Sequence, residues 1–319
     1  MNAAEGRLED EARQAPATPP WVGATDLHVH SGPEGIPRRF DAVQLAEHVA
    51  QSGLRSLVLK SHFTMTSDWA QMAHRLTGVR LFGSVTLNHH VGGINPLAVR
   101  AALGPRDAGG PFLRVVWLPT VHAAAHLAAR QAHGDEHDIP AEWAGGVLPD
   151  AAERISDLRP ISLLDPAVDG PLDEVLGLIA KHDLVLATGH VGRDEVFRLM
   201  DRARRAGVRK IVITHPAHDP PGLSLAEMQA LAAAGAYIEL AYILLDMGSV
   251  SGKDTARTFR AVGADRIVLT TDVGQVDRIA PAEALARFAA ALADEGIGPD
   301  ELATAMRTNP WRLVAGDET

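Results

Sequence analysis

Residues 184–190 read LVLATGH and residues 210–216 read KIVITHP, so two short apolar runs each end in a histidine. A helical pattern at Asp194–Ala206 separates the two runs. Short continuous apolar runs are typical of strands in a parallel sheet whose two faces are covered. This repeated strand–helix unit decides the fold class.

The same unit recurs from Ala24 onward. Eight strands are predicted, at Thr25–His30, Arg55–Ser61, Val79–Leu87, Leu113–Thr120, Leu184–Thr188, Lys210–Thr214, Ala236–Leu240 and Arg266–Thr271. Further helical patterns lie between them, for example at Asp41–Ser52, Leu172–His182, Ser224–Ala234 and Pro281–Glu295. Eight such units predict an α/β fold with a single (β/α)₈ TIM barrel. A doubly wound open sheet is the alternative, but no Gly-x-Gly-x-x-Gly follows a strand to support a dinucleotide site.

Two regions depart from the repeat. Residues 1–22 mix acidic residues, alanine and proline, and predict a mobile N-terminal tail that Trp21 ties to the barrel of residues 23–319. Residues 123–171 have little regular periodicity and predict an insertion after strand four, as a lid over a site or an ordinary surface excursion. No signal peptide or membrane span is visible, so we expect a cytoplasmic protein without membrane partners.

The composition excludes several functions. The chain has 319 residues, no cysteine and a formal net charge of −10. The missing cysteines exclude disulfides, iron–sulfur clusters, thiolate zinc sites and a cysteine nucleophile. Because the acidic balance lacks the positive patch that phosphate backbones require, no nucleic-acid partner is expected. Fifteen histidines are the notable feature.

The first motif is DLHVH at residues 26–30. Alternate residues of a strand point to the same side, so His28 and His30 share a face. Chemically active side chains also follow other strands: Lys60 and His62 after strand two, His89 and His90 after strand three, His190 after strand five, His215 after strand six and Asp272 after strand eight. Barrels build their active sites at these carboxyl ends. The clustering therefore predicts a shared site there.

Imidazoles with a carboxylate suit a divalent metal. We expect one or two ions, with Zn²⁺ favoured and Mn²⁺ or Fe²⁺ as alternatives. Such an ion lowers the pKa of water towards about 7 and so supplies hydroxide at neutral pH. Asp272 is the predicted catalytic residue, since a carboxylate beside that water can take its proton and pass it to the leaving group.

These motifs resemble the amidohydrolase superfamily of metal-dependent hydrolases. The resemblance lies in His28 and His30 on strand one, His190 on strand five, His215 on strand six and Asp272 on strand eight, and extends to the NPWRL segment near the end. It implies that His28, His30 and Asp272 bind a buried metal, with Asp272 also as base, and that His190 and His215 bind a second. Residues 188–242 also resemble phosphotriesterase-like lactonases, and DLHVH with residues 53–62 resembles PHP phosphoesterases.

Strand four departs from the superfamily pattern. It reads LRVVWLPTVH and lacks the lysine or glutamate that binuclear members usually have there or on strand three. Lys60, at the end of strand two, is a candidate for a bridging carbamate, since a buried lysine can lose its proton and react with CO₂. It can equally bind a substrate anion. Glu239 on strand seven is an alternative ligand or ligand-orienting group.

Other residues are candidates for contacting substrate, namely His62, His90, His126, Glu239 and Gln275. The sequence predicts a metal-dependent hydrolase of a small molecule, acting on an amide, a cyclic amide or a lactone. A phosphoesterase, or a metal-dependent decarboxylase or lyase on the same scaffold, is the alternative. Barrels of this type often form homo-oligomers, and no sequence feature sets a symmetry.

Overall fold

The structure is a computed structural model that describes residues 18–133 and 159–315. Eight parallel strands confirm the predicted order, with boundaries that differ by a few residues. They are β1 (Thr25–His30), β2 (Ser56–Lys60), β3 (Gly83–Thr86), β4 (Leu113–Trp117), β5 (Val185–Ala187), β6 (Lys210–Ile213), β7 (Tyr237–Ala241) and β8 (Ile267–Thr270). A short antiparallel hairpin, Arg106–Asp107 with Gly110–Pro111, precedes β4.

Helices connect successive strands. They are α1 (Ala42–Ser52), α2 (Ser67–Thr77), α3 (Pro96–Ala102), α4 (Ala124–His133), α5 (Asp169–Lys181), α6 (Arg193–Arg205), α7 (Leu225–Ala233), α8 (Tyr242–Asp246), α9 (Gly252–Val262), α10 (Pro281–Asp294), α11 (Pro299–Ala303) and α12 (Asn309–Ala315). Short 3₁₀ turns lie at His89–Val91, Pro166–Val168 and Ala264–Arg266, and a π turn lies at Thr304–Thr308. The alternation of strand and helix makes the fold α/β.

The eight strands form two sheets, which corrects the expectation of one closed sheet. Strands β3 to β8 form a six-stranded parallel sheet in chain order, and β1 pairs with β2 in a separate two-stranded sheet. The β1–β2 pairing shifts register between Asp26 and Val29. Pairing between β2 and the β3 side is a single bridge, Val58 with Phe82, one residue before β3 begins. Pairing between β1 and the β8 side is also a single bridge, Val29 with Val273. Regular ladders are therefore absent at these two junctions.

Side chains from all eight strand regions nevertheless meet in one interior cluster. Its buried members from the strands are Leu27, Val58, Phe82, Val115, Trp117, Val185, Ala187, Val212, Tyr237 and Val268. The opposite strand faces pack in a larger cluster with the helices, as Leu45 and Phe288 illustrate. Because strand side chains alternate in direction, β4 places Val115 and Trp117 in the interior cluster and Val116 in the larger one. Both faces are buried, which explains the continuous apolar runs.

The segment after β4 begins as a helix. The predicted insertion includes α4, whose sequence AAHLAARQAH is rich in alanine, the strongest helix former. The rest of that insertion, residues 134–158, and most of the predicted tail, residues 1–17, lie outside the described residues. Trp21 packs against the larger apolar cluster as expected. Among the described helices, none combines the length and apolar character needed to cross a membrane.

Candidate metal centre

Three predicted ligands converge where β1 and β8 end. His28 and His30 are both buried, and strand alternation turns both imidazoles inward. Asp272 follows β8, and its Oδ1 lies 2.9 Å from His28 Nε2 and 3.0 Å from His30 Nε2. Within the described residues, these are the one group of three histidine or acidic side chains whose ligand atoms all lie within 4.8 Å.

The backbone around Asp272 is held in an uncommon conformation. Asp272 has φ +55°, and its N–H donates to the carbonyl of His28 at 2.8 Å. The preceding Thr271 donates its N–H to Asp26 Oδ1 at 3.1 Å. Gly274 leaves room for β1, since a Cβ there would lie 2.2 Å from the His30 carbonyl oxygen. A left-handed aspartate is costly, so these contacts impose its position.

Glu239, on β7, orients His28. Its Oε1 accepts from His28 Nδ1 at 2.9 Å and from Thr270 Oγ1 at 2.9 Å, while its Oε2 accepts from the N–H of His215 at 3.0 Å. A proton on His28 Nδ1 leaves the Nε2 lone pair facing Asp272. This carboxylate–histidine contact is the usual support of a metal-binding imidazole.

Arg38 and Glu34 form a buried ion pair beside His30 that the sequence did not single out. Their side chains are 1% and 0% exposed, and Glu34 also accepts from Ser61 Oγ. Arg38 Nη2 lies 3.1 Å from His30 Nδ1. Because a guanidinium can only donate, His30 Nδ1 accepts and its Nε2 carries the proton toward Asp272. Metal binding through His30 Nε2 requires this proton to leave and the Arg38 contact to change.

Lys60 is buried at the end of β2. Its Nζ lies 2.7 Å from His28 Nε2 and 4.3 Å from the centre of the Trp117 ring. Trp117 ends β4, and its ring also lies 4.5 Å from the His28 ring. The indole therefore fills the end of the strand that lacks a predicted ligand, and Lys60 reaches across it from β2.

His190 and His215 lie close to these residues. Their ring centres are 5.0 Å apart, and the rings of His215 and His28 are 6.3 Å apart. Gly189 is needed before His190, because a Cβ there would lie 2.4 Å from the Leu118 carbonyl oxygen. His215 has φ +25°, and its buried Nδ1 has no hydrogen-bond partner.

The remaining candidates are His62, His126, His90 and Gln275. The His62 ring lies 4.7 Å from that of His30, and His62 Nδ1 lies 2.8 Å from Thr120 Oγ1. His126 Nδ1 lies 3.1 Å from His190 Nδ1. His90 is exposed and packs beside Phe63 and His122. Gln275 Nε2 is directed toward the carbonyl of Asp272 at 3.5 Å.

Burial and charge together set the protonation of the centre. Burial lowers the pKa of His30, His62 and His190 well below the usual value, and that of His215 to about 4. These imidazoles are therefore neutral at pH 7 and can offer lone pairs. Burial also lowers the pKa of Lys60 to about 8, partly offset by nearby carboxylates.

The two carboxylates favour positive charge at His28. Burial alone would raise the pKa of Asp272 and Glu239, but the neighbouring imidazoles lower both, that of Asp272 strongly. Burial alone would lower the pKa of His28, yet Asp272 and Glu239 raise it above the usual value. The site therefore has ionised carboxylates and a preference for a cation between them.

These donors fit a divalent cation. Two ligand atoms bound at about 2.0–2.2 Å to one ion lie about 2.8–3.6 Å apart at octahedral or tetrahedral angles. The separations of Asp272 Oδ1 from His28 Nε2 and His30 Nε2 fall in that range. Two imidazoles and a carboxylate suit Zn²⁺, Mn²⁺ or Fe²⁺. Metal binding must change two contacts of this arrangement, that of Arg38 with His30 and that of Lys60 Nζ with His28 Nε2.

A cavity of about 40 Å³ adjoins the centre at His215 and Glu239. Its walls are mainly apolar, and they include Leu240, Leu244 and Val250. Thr255 and Thr258 of α9 close the far side. A cavity of this size beside polar groups can take a small apolar group of a bound molecule.

Fold and site together define the class of protein: a parallel α/β protein with a histidine–aspartate cluster at the carboxyl ends of its strands. The chain belongs to a family described as a family of unknown function (DUF6282), whose model matches residues 23–239. No curated protein sequence gives a significant match.

Solved structures show where the fold recurs. An amidohydrolase from Pseudomonas aeruginosa aligns with a TM-score of 0.55 and 12% identity, covering 92% of this chain and 97% of that one. An organophosphorus hydrolase from Deinococcus radiodurans aligns with a TM-score of 0.53 and 13% identity, covering 92% of each chain. A structure titled as organophosphate hydrolysis engineered from a lactonase template also scores 0.53, at 13% identity, and covers 93% of this chain and 97% of that one. The predicted resemblance to the amidohydrolase superfamily is thus confirmed for the fold.

Proposed function

We propose that this protein is a metal-dependent hydrolase of a small organic molecule, with the ion held by His28, His30 and Asp272. The observation that carries the proposal is the convergence of His28 Nε2, His30 Nε2 and Asp272 Oδ1 within 4.8 Å. A divalent ion bound there supplies a Lewis acid that activates water at neutral pH. We favour Zn²⁺, with Mn²⁺ or Fe²⁺ as alternatives, and place the reaction in the cytoplasm.

Asp272 is the proposed general base. Its side chain is 16% exposed, while those of His28 and His30 are 0% and 4% exposed, so the carboxylate is the member of the group that reaches the solvent side. Its lowered pKa keeps it ionised at pH 7. It accepts the proton of the attacking water and transfers it to the leaving group.

Lys60 and His215 are further polar residues beside His28. Lys60 Nζ, close to His28, either polarises a substrate oxygen or carries a carbamate that adds a ligand. A metal titration with and without bicarbonate separates the two roles, because only the carbamate makes binding depend on CO₂. His62, His126 and Gln275 remain candidates for substrate contacts from the same rim, and His90 a candidate from its margin.

The cavity beside His215 favours an organic acyl substrate. Leu240, Leu244 and Val250 can enclose an apolar substituent, and the carboxylate of Asp254 on the same wall disfavours a phosphate. An amide, a cyclic amide or a lactone with such a substituent therefore suits the site better than a phosphate monoester. Nucleic acid is not a proposed partner.

We also propose that the two sheets close into one eight-stranded barrel. Phe82, before β3, exchanges hydrogen bonds with β2, from Leu59 N at 2.8 Å and to Leu57 O at 2.9 Å. Val273, after β8, accepts from His30 N at 2.8 Å. The shared interior cluster supports closure. Closure puts all eight carboxyl ends on one rim around the metal.

The test is hydrolysis by metal-depleted and reloaded protein. Lactones, cyclic amides, linear amides and phosphoesters are screened with each form, and Asp272→Asn is the control for activity from contaminants. We expect turnover of a lactone or an amide only when the ion is present and Asp272 is unchanged. Incorporation of ¹⁸O from labelled water into the product identifies hydrolysis. An ion-dependent reaction without ¹⁸O incorporation would instead indicate a decarboxylase or lyase.

A further inference from the structure

His126 is placed against His190 by a short helix. It lies in the first turn of α4, which starts seven residues after β4 ends at Trp117. This position brings it to the carboxyl end of β4, where the strand itself ends in the indole of Trp117 and has no metal ligand. His126 therefore reaches His190 from the region in which β4 has no coordinating side chain.

The two imidazoles meet nitrogen to nitrogen. His126 Nδ1 and His190 Nδ1 are 3.1 Å apart, and the ring centres are 4.9 Å apart. This separation matches that of His30 Nε2 and Asp272 Oδ1 in the first group, 3.0 Å. It also lies in the range of about 2.8–3.6 Å for two ligands of one ion. The geometry that fits a cation at the first group thus recurs at this pair.

His215 supplies a third nitrogen nearby. Its Nδ1 is buried without a hydrogen-bond partner, and its ring centre lies 5.0 Å from that of His190. A buried polar atom without a partner costs about 1–3 kcal/mol, so a native structure usually provides one. A hydrogen bond between His126 and His190 leaves His215 Nδ1 unpaired. An ion that draws His215 toward the pair satisfies all three residues.

The resemblance to the amidohydrolase superfamily implies a second divalent cation at His190 and His215. We propose that His126 is a further ligand of that ion and replaces the ligand that β4 lacks. The inference rests on the proposed function, because this ion would lie beside the first. Three imidazoles without a carboxylate favour Zn²⁺ or Co²⁺ over Mg²⁺ or Ca²⁺. The ring contacts of His28 with His215 place the two ions as neighbours.

The experiment counts ions in the full-length protein. Wild type, His126→Ala and Gln131→Ala are dialysed to equilibrium against buffered Co²⁺ and analysed by atomic emission. Gln131 is an exposed residue of the same helix and serves as the matched control. We expect two ions in wild type and Gln131→Ala, and one in His126→Ala. Circular dichroism verifies that each variant is folded.

Electron paramagnetic resonance gives a second measurement, which depends neither on catalytic activity nor on the total number of bound ions. Loaded with Mn²⁺, wild type should give the electron paramagnetic resonance spectrum of two coupled ions, and His126→Ala the uncoupled six-line spectrum. If His126→Ala keeps two ions, or wild type binds only one, His126 orients His190 by a hydrogen bond and the proposal is overturned. If wild type binds one ion and Asp272→Asn binds none, the proposed function still holds. No ion at all in wild type would overturn the proposed function as well.

Discussion

Asp272 and His28 are joined twice, by a backbone hydrogen bond of 2.8 Å and by a side-chain approach of 2.9 Å. The backbone bond ties the end of β8 to β1, and the side-chain approach places a carboxylate oxygen beside an imidazole nitrogen. The same junction therefore links the first and last strands and forms the candidate metal centre. Changes at this junction should affect fold and metal binding together, whereas changes to single side-chain atoms should separate them.

Replacing Asp272 by asparagine should keep the fold and remove most catalysis. The amide preserves size and one oxygen but cannot accept a proton from water. Loss of a general base typically lowers turnover by about 10²–10⁴. Once a substrate is identified, kcat is measured for wild type and Asp272→Asn at saturating metal. A variant with full kcat would exclude Asp272 as the base.

Replacing Glu239 by glutamine should weaken metal binding more than stability. Its carboxylate fixes the proton on His28 Nδ1, and loss of such a contact typically costs 10–100-fold in metal affinity. Isothermal titration of metal-depleted protein with Zn²⁺ measures the change. Glu283→Gln, on the exposed face of α10, is the control and should bind like wild type. Equal affinity in the two variants would show that Glu239 does not orient the ligand.

Replacing Gly274 by alanine should disrupt the β1–β8 junction. The new Cβ would lie 2.2 Å from the His30 carbonyl oxygen, so backbone must move. Overpacking of this kind costs about 1–3 kcal/mol in addition to the strain of the conformation. Gly248→Ala is the matched control, because Gly248 has φ +71° but nothing within 4 Å of its Cβ position. Urea unfolding should show a larger loss for Gly274→Ala, and equal losses would contradict the packing described.

His122 should make the metal-free protein less stable in acid. Burial, followed by the charges of His90 and His89, lowers its pKa to about 3, against 6.5 for an ordinary histidine. Between those pH values the unfolded chain binds a proton that the folded chain does not. Stability is therefore complete above about pH 6.5 and falls with decreasing pH, by at most about 1.4 kcal/mol per unit.

Urea unfolding of wild type and His122→Asn at pH 7, 6 and 5 measures this contribution. The variant lacks the titrating group and should lose less stability between pH 7 and pH 5 than wild type. The difference between the two proteins at each pH cancels the contributions of the other histidines. Parallel stability curves would mean that His122 is not neutral in the folded protein.

The sequence predicted the strands, and the site residues at their carboxyl ends, because both depend on local, periodic patterns. An apolar run fixes a buried strand, and alternation within DLHVH places His28 and His30 on one side. The parallel order then brings Asp272 to the same rim. Each of these inferences needs only the strand geometry, which has little freedom.

Side chains on loops that contact the site residues could not be predicted in this way. Arg38 and Glu34 occupy an irregular segment, so no period shows that their side chains turn inward toward His30. The Ala124–His133 helix was also missed, and with it the placement of His126 against His190. The division of the strands into two sheets lies at two junctions with a single bridge each, Val58 with Phe82 and Val29 with Val273, which the alternation of residues does not record. These features are set by tertiary packing.

The central claim is that His28, His30 and Asp272 hold one divalent ion. Crystals grown from zinc-loaded protein allow an anomalous difference map at the zinc absorption edge. We predict a peak about 2.0–2.2 Å from His28 Nε2, His30 Nε2 and a carboxylate oxygen of Asp272. A map from zinc-loaded protein with no peak between these three side chains would contradict the account.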